Sequence, residues 1–391
     1  KSYTSTAATM VNLMLQRTSM AITLLCVLLL IVENAQSAAT NDVMAEQHGL
    51  WMVRFRRNYS SPAEQAYRFK VYANNVNLIN ELNRQGLGYT LAANNFADLT
   101  LDEYQARYLG YKQESSPPLP GQTGQPPPPP KRKPPPPRRK PPPPRRRPPP
   151  PRRRIPPPPR LNPAPAPGSP QVKFDWRNFG AVNLVKDQRL CGAAWAFSAV
   201  AAMEGITKIK KGVLLSLSEE ELINCNNYSA SCFGGSAQDA FKWVIQNKGI
   251  NSDQSYPYIG FSFLGFSLPC NLTLSSVSVA NFSSYDLVAP NNETALQDAV
   301  SRQPISITID AASYNFMFYQ SGIYRGPCGF DKNHAVTVIG YGVDADGTKY
   351  WIVRNSWNIW WGEAGYMRLQ RDYSDSRGLC GIAQIPSYPI V

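Results

Sequence analysis

Two histidines occur in this chain of 391 residues, His48 and His334. His334 opens the run His334-Ala335-Val336-Thr337-Val338-Ile339-Gly340, whose apolar alternation reads as a strand. An imidazole can serve as general base or acid when a nucleophile and an orienting group are brought to it. The stretch Ala194 to Lys211 is rich in alanine and ends at Gly212, the pattern of a helix with its stop. A helix N-terminus favours a thiolate. The first position here is Ala194, and a methyl group cannot attack a carbonyl. A single histidine downstream of the prolines argues against a metal site, and no cofactor is expected.

Seven cysteines are present. Cys26 lies in an apolar run from Met20 to Val32, preceded by Arg17 and followed by small residues at Ala35, Ser37, Ala38 and Ala39. That reads as a secretory signal within residues 1–39, with Met10 as a plausible start. The run is shorter than the ~20 residues a spanning helix needs, and no later stretch is long and apolar enough. Cysteines 191, 225, 232, 270, 328 and 380 remain, an even set that reads as three disulfides, with fifteen pairings open. Sequons at Asn58, Asn227, Asn271, Asn281 and Asn292 fit the same compartment. The expected location is the secretory route, extracellular or vacuole- or lysosome-like, and the chain is expected to be a monomer.

Three units must position these groups. Residues 42–111 carry Glu64, Arg68, Tyr72, Asn75, Ile79 and Asn83 at spacings of three and four, one side of a helix with a partly polar stripe. Residues 113–168 are low in complexity. The chain's net charge is +13, and 13 cationic residues lie between Lys131 and Arg160, where no acid occurs. The remainder is formally neutral. Of 36 prolines, 28 lie between Pro117 and Pro170, so a polyproline II rod is expected. It serves as a stiff spacer, or it contacts a polyanion such as an acidic polysaccharide through residues 131–160. Secretion and the lack of aromatic residues there argue against nucleic acid. Residues 169–391 return to ordinary composition and hold all six retained cysteines.

The segment Gln188-Arg189-Leu190-Cys191-Gly192-Ala193-Ala194-Trp195-Ala196-Phe197-Ser198 resembles Q-G-S-C-G-S-C-W-A-F-S of papain-type cysteine peptidases. Phe174-Asp175-Trp176-Arg177, the run from Asn333-His334-Ala335 to Gly340-Tyr341-Gly342, Asn355-Ser356-Trp357 and the ending Tyr388-Pro389 extend the resemblance over the whole third unit, with a plant papain- or bromelain-like look. The stripe on the first unit, followed by Asn94, Phe96 and Asp98, resembles the family's inhibitory prodomain, with Tyr72 for Phe and Ala92 for Gly. The resemblance implies an α+β, papain-like two-lobed fold, a helical lobe plus an antiparallel β-rich lobe. A mostly helical prodomain precedes it, and its last strand runs backwards across the cleft. It also implies roles. His334 is the imidazole, Asn355 its orienting amide and Trp357 its cover. Gln188 and the N–H of residue 194 are the oxyanion donors. Gly234 and Gly235 line the cleft. Ala237, Thr308, Ala335 and Ile385 form a moderately apolar pocket for a bound peptide or protein. The implied disulfides are Cys191–Cys232, Cys225–Cys270 and Cys328–Cys380.

Ala194 falls on the nucleophilic cysteine. Arg189, Leu190 and Ala193 also depart from the pattern, placing an arginine beside the oxyanion donors, and Asn358-Ile359-Trp360 adds bulk at one cleft edge. Ser198 lies one turn away but matches a residue behind the cleft. The expectation is a peptidase relative without hydrolysis, retaining peptide binding or acting through its prodomain as an inhibitor. The alternatives are an active zymogen, which requires cysteine at 194, and a polyanion-binding protein acting through its rod.

Overall fold

The computed structural model describes residues 42–111, 172–260 and 268–391. The expected signal at 1–39 and the proline-rich segment at 113–168 lie outside the described residues.

The first unit holds α1 (42–54), α2 (Pro62–Arg84), β1 (Tyr89–Leu91) and α3 (Leu101–Tyr108). Ser61 starts α2 by accepting from the Glu64 N–H, and Pro62 occupies the first turn, where its missing N–H is not needed. The polar stripe of α2 faces inward. Arg68 donates to both oxygens of Glu103 at 2.7 and 2.9 Å and to the Asp98 carbonyl at 3.0 Å. Asn75 donates to the Ala97 and Leu99 carbonyls, both at 2.9 Å. Asn83 exchanges two bonds with the Leu91 backbone. The stripe thus supplies hydrogen bonds to a loop that has no ladder of its own, which buried backbone requires. Tyr72 and Ile79 fill the gaps between these polar groups. His48 is buried among Trp51, Tyr59, Phe69 and Tyr72, and burial lowers its pKa.

The second unit has a helical lobe and a β-rich lobe. The helical lobe is built on α4 (Ala194–Lys211), α5 (Glu219–Cys225) and α6 (Ala237–Gln246). α4 is buried from Ala194 through Thr207, and its last turn collects Lys208, Lys210 and Lys211 before Gly212 turns left-handed. Short α7 (Leu272–Ser275), α8 (Glu293–Val300) and α9 (Tyr314–Met317) lie between strands. The strands are β2 (Phe174–Asp175), β3 (Ser284–Leu287), β4 (Ile305–Ile309), β5 (Tyr319–Tyr324), β6 (His334–Val343), β7 (Lys349–Arg354), β8 (Tyr366–Gln370) and β9 (Ser387–Ile390). With β1 they form a sheet of order β1-β5-β8-β7-β6-β4-β9-β3, with β2 also paired to β6. Only the β5–β8 pair is parallel among the described ladders.

Two features join the units. β1 adds an antiparallel edge strand to β5, with Tyr89 opposite Gly322 and Thr90 opposite Ser321. Asn94 then donates to the Met317 carbonyl at 2.8 Å, and Phe96 sets its ring edge-on against Trp357 at 5.2 Å. The lobes are tied by a buried ion cluster. Lys186 lies 2.8 Å from Glu219 and 3.2 Å from Glu204, and Arg354 lies 3.7 Å from Glu204. Burial pushes the Glu219 carboxyl up, with Lys186 opposing.

The Arg68 bonds make a measurable demand. Arg68→Ala should destabilise the first unit by roughly 2–3 kcal/mol, since a charged network loses its partly buried donor. Arg84→Ala removes a solvent-exposed pair and should cost at most about 0.5 kcal/mol. Denaturant melts of both variants check the contrast, and equal effects would refute the assignment.

Candidate active site

The cleft floor is the loop that feeds α4. Asp187 bridges to Trp357, and the Gln188 N–H donates to the Ser356 carbonyl at 2.8 Å. The Ser356 hydroxyl donates to Gln188 Oε1 at 2.7 Å. The other end of the amide meets two carbonyl oxygens, which can only accept, so that end is Nε2. It donates to the Cys191 carbonyl at 2.8 Å and the Tyr108 carbonyl at 3.0 Å. Tyr108 belongs to the first unit. A carbonyl oxygen of the first unit therefore sits at the Gln188 side-chain donor.

Ala194 is the first residue of α4 and is fully buried. No side chain caps this helix start. Among the described residues the Ala194 N–H has no backbone acceptor, which leaves it as a donor at the positive end of the helix.

His334 opens β6 and is fully buried. Its Nε2 lies 2.9 Å from Asn355 Oδ1, which also accepts from the Ser356 N–H at 2.8 Å. An acceptor at Nε2 places the proton there and leaves Nδ1 as the basic nitrogen. Trp357 stacks on the imidazole at 4.5 Å between ring centroids, and Phe316 meets it edge-on. Nδ1 has no hydrogen-bond partner. Burial lowers the imidazole pKa to about 4, with the Asn355 bond opposing, so the ring is neutral near pH 7. Ala335 packs with Ala194 in one apolar cluster. An unpaired buried acceptor costs about 1–3 kcal/mol.

The cleft wall is occupied. The Gly235 N–H donates to the Gly110 carbonyl at 3.0 Å, and Tyr111 forms a parallel bridge with Gly235. Gly234 holds φ at +117° just before it. Gly110 passes so close to the floor that a Cβ there would lie 2.0 Å from the Gly192 carbonyl oxygen. In the expected pocket, Thr308 pairs with Ala335 across the β4–β6 ladder, Ala237 begins α6, and Ile385 is half-buried. Disulfides join Cys191 to Cys232, Cys225 to Cys270 and Cys328 to Cys380. All five sequon asparagines are exposed; Asn271 and Asn292 cap α7 and α8.

Arg189 follows Gln188 on the same loop. Its guanidinium donates to the Ile259 carbonyl at 3.3 Å and lies over the Tyr258 ring. The Tyr258 hydroxyl in turn donates to the Gln188 carbonyl at 2.5 Å. Its φ of +53° and the bond from its N–H to Asp187 set this turn. Trp360 lies against Phe55 of the first unit, edge-on at 6.1 Å. Ser198 bonds Ser306 and the Val336 carbonyl, both at 2.6 Å, behind the cleft. Among the described residues no group of three His, Cys, Asp or Glu could hold a metal ion. The parts not read from the sequence are Tyr108, Gly110 and Ser356. A lone glycine after α3 was the one signal for Gly110.

Residues 170–390 match the papain family cysteine protease pattern, and residues 48–104 match the cathepsin propeptide inhibitor domain. The senescence-specific cysteine protease SAG12 of Arabidopsis thaliana is 38% identical over 351 residues, covering 89% of this chain and 91% of the relative. Fruit bromelain of Ananas comosus is 39% identical over 350 residues, covering 89% and 87%. Among solved structures, a recombinant stem bromelain precursor aligns with a TM-score of 0.71 at 36% identity, covering 89% of this chain and 99% of that one. The chain belongs to the papain family of cysteine peptidases. It carries the family's two-lobed fold together with its propeptide domain.

Two outcomes follow from the geometry. Because the folded pKa of His334 lies below its ordinary value, the unfolded chain binds the extra proton between about pH 6.5 and pH 4. Stability contributed by the neutral ring is therefore lost as pH falls through that window. NMR titration of the imidazole should report a midpoint near 4. In Ala194→Cys the midpoint should move up, because a thiolate favours imidazolium. A midpoint near 6.5 in the parent would contradict the buried neutral ring. Separately, Gly110→Ala should lift the prodomain strand from the floor, seen as faster hydrogen exchange at the Gly235 amide with α2 exchange unchanged.

Proposed function

We propose that this chain is a non-hydrolysing member of the papain family whose cleft is kept filled by its own prodomain. The observation that carries this reading is an alanine, Ala194, at the helix start in a unit whose buried His334 Nδ1 has no partner among the described residues. The base, its orienting amide and the oxyanion donors are in place, but the group that would form the acyl bond is a methyl. Without a nucleophile the chain has no means of cutting its own prodomain from the cleft. It then acts as a stable binding protein, exposing the cleft only when another peptidase removes the prodomain. The relatives SAG12 and fruit bromelain bear names of proteases, whereas this chain has Ala194 at the helix start.

We place the protein on the secretory route, on the strength of its apolar N-terminal run and its disulfides. The 13 cationic residues between Lys131 and Arg160 support a further contact with an acidic polysaccharide.

The test is turnover of a fluorogenic peptide by the purified chain before and after prodomain removal. No hydrolysis above buffer and no labelling by a thiol-directed probe are expected. Ala194→Cys, once freed of its prodomain, should gain several orders of magnitude, since removal of a nucleophile costs about 10⁶ in kcat in a comparable hydrolase. Parental turnover that disappears in both Gln188→Ala and His334→Ala would overturn the proposal.

A further inference from the structure

A groove of about 730 Å³ lies where the first unit meets the altered loops of the second. Arg54, Arg56 and Arg57 line it from the first unit, and Arg189 from the second. One carboxylate, Asp187, lines it as well, already accepting from the Arg189 N–H at 2.8 Å and from Asn358 at 3.3 Å. Arg57 is paired with Asp98 at 3.3 Å. Arg54 and Arg56 form no ion pair among the described residues. The groove is therefore a local excess of guanidinium on a chain that is formally neutral outside its proline-rich segment.

Apolar groups stand among these charges. Val53 is 78% exposed, Leu190 50% and Trp360 45%, and all three line the groove. Arg189, Leu190, Asn358 and Trp360 are positions where this chain departs from its family's pattern, and they come together on this one surface.

We infer that the groove binds an acidic peptide segment of a partner protein, one that also carries a bulky apolar residue. Carboxylates meet the guanidinium forks. The apolar residue lies on Leu190 and Val53 beside Trp360. An acidic polysaccharide would satisfy the arginines but leave the apolar side chains in water. Since both units contribute, an occupant holds the prodomain on the peptidase unit by mass action. The inference is independent of whether the chain hydrolyses peptides.

The test uses the full chain and a fluorescently labelled decapeptide of glutamates around a central Leu-Phe pair. Anisotropy should show saturable binding at about 150 mM salt that is lost when glutamine replaces glutamate. Arg56→Glu and Leu190→Ser change exposed side chains, so both variants should melt like the parent. Each should weaken binding about tenfold, the first through charge repulsion and the second through loss of apolar contact. Unchanged affinity in both variants would assign the binding to the proline-rich segment and overturn the inference. Equal binding of the glutamine peptide would overturn it too. So would an acidic oligosaccharide that binds and is lost in Arg56→Glu while the peptide does not bind.

Discussion

The hydrogen bonds at both ends of the Gln188 side chain hold three parts of the molecule in register. At one end Ser356, after β7, donates to Oε1; at the other Nε2 donates to Tyr108, at the end of α3. The residue is fully buried, so neither end has water as an alternative. An amide is required, because a carboxylate could not donate and a shorter side chain would not span the gap. Gln188 thereby sets the distance between the floor of the cleft and the strand above it. Gly110 is the complementary demand from the other side. The strand can come down to the amide only because its next close contact has no Cβ.

This geometry gives the family's catalytic groups a second occupation. The donor that would hold a developing oxyanion holds a ground-state carbonyl instead. The N–H of Gly235 takes the Gly110 carbonyl, where a peptide ligand's backbone would pair. Both are satisfied by the prodomain, and neither needs a nucleophile. His334 is different. Its Nε2 is oriented by Asn355, but nothing answers Nδ1. In its low-dielectric site the ring is held neutral and carries the cost of an unpaired acceptor. That residual cost falls on stability rather than on binding.

Much of the fold was legible because it repeats local chemistry. The spacing from Glu64 to Asn83 announced α2, and the alanine run ending at Gly212 announced α4. The purpose of the α2 stripe was not legible. Arg68, Asn75 and Asn83 look like surface residues by type, yet they serve backbone groups 8 to 30 residues downstream, a pairing no local window contains. Gln188, His334 and Asn355 could be named because their neighbours form long motifs. Tyr108 could not, because it contributes a main-chain carbonyl, and every residue has one. The direction of the Arg189 side chain was likewise hidden, since a left-handed turn and the ring of Tyr258 decide it.

The altered loop can be weighed in the same terms. If positions 189, 190, 193 and 358–360 had only lost a function, their side chains should point without order into solvent or clash with the strand above. Instead Arg189 has a carbonyl acceptor and an aromatic face, and Asn358 holds Asp187. Trp360 takes Phe55 on its edge with Arg54 nearby at 5.7 Å. These contacts do not touch the imidazole or the oxyanion donors. They set Trp360 against Phe55 and Arg54 at the end of α1, while Leu190 and Ile359 stay exposed. The loops that depart from the family pattern therefore face the first unit and the solvent beside it.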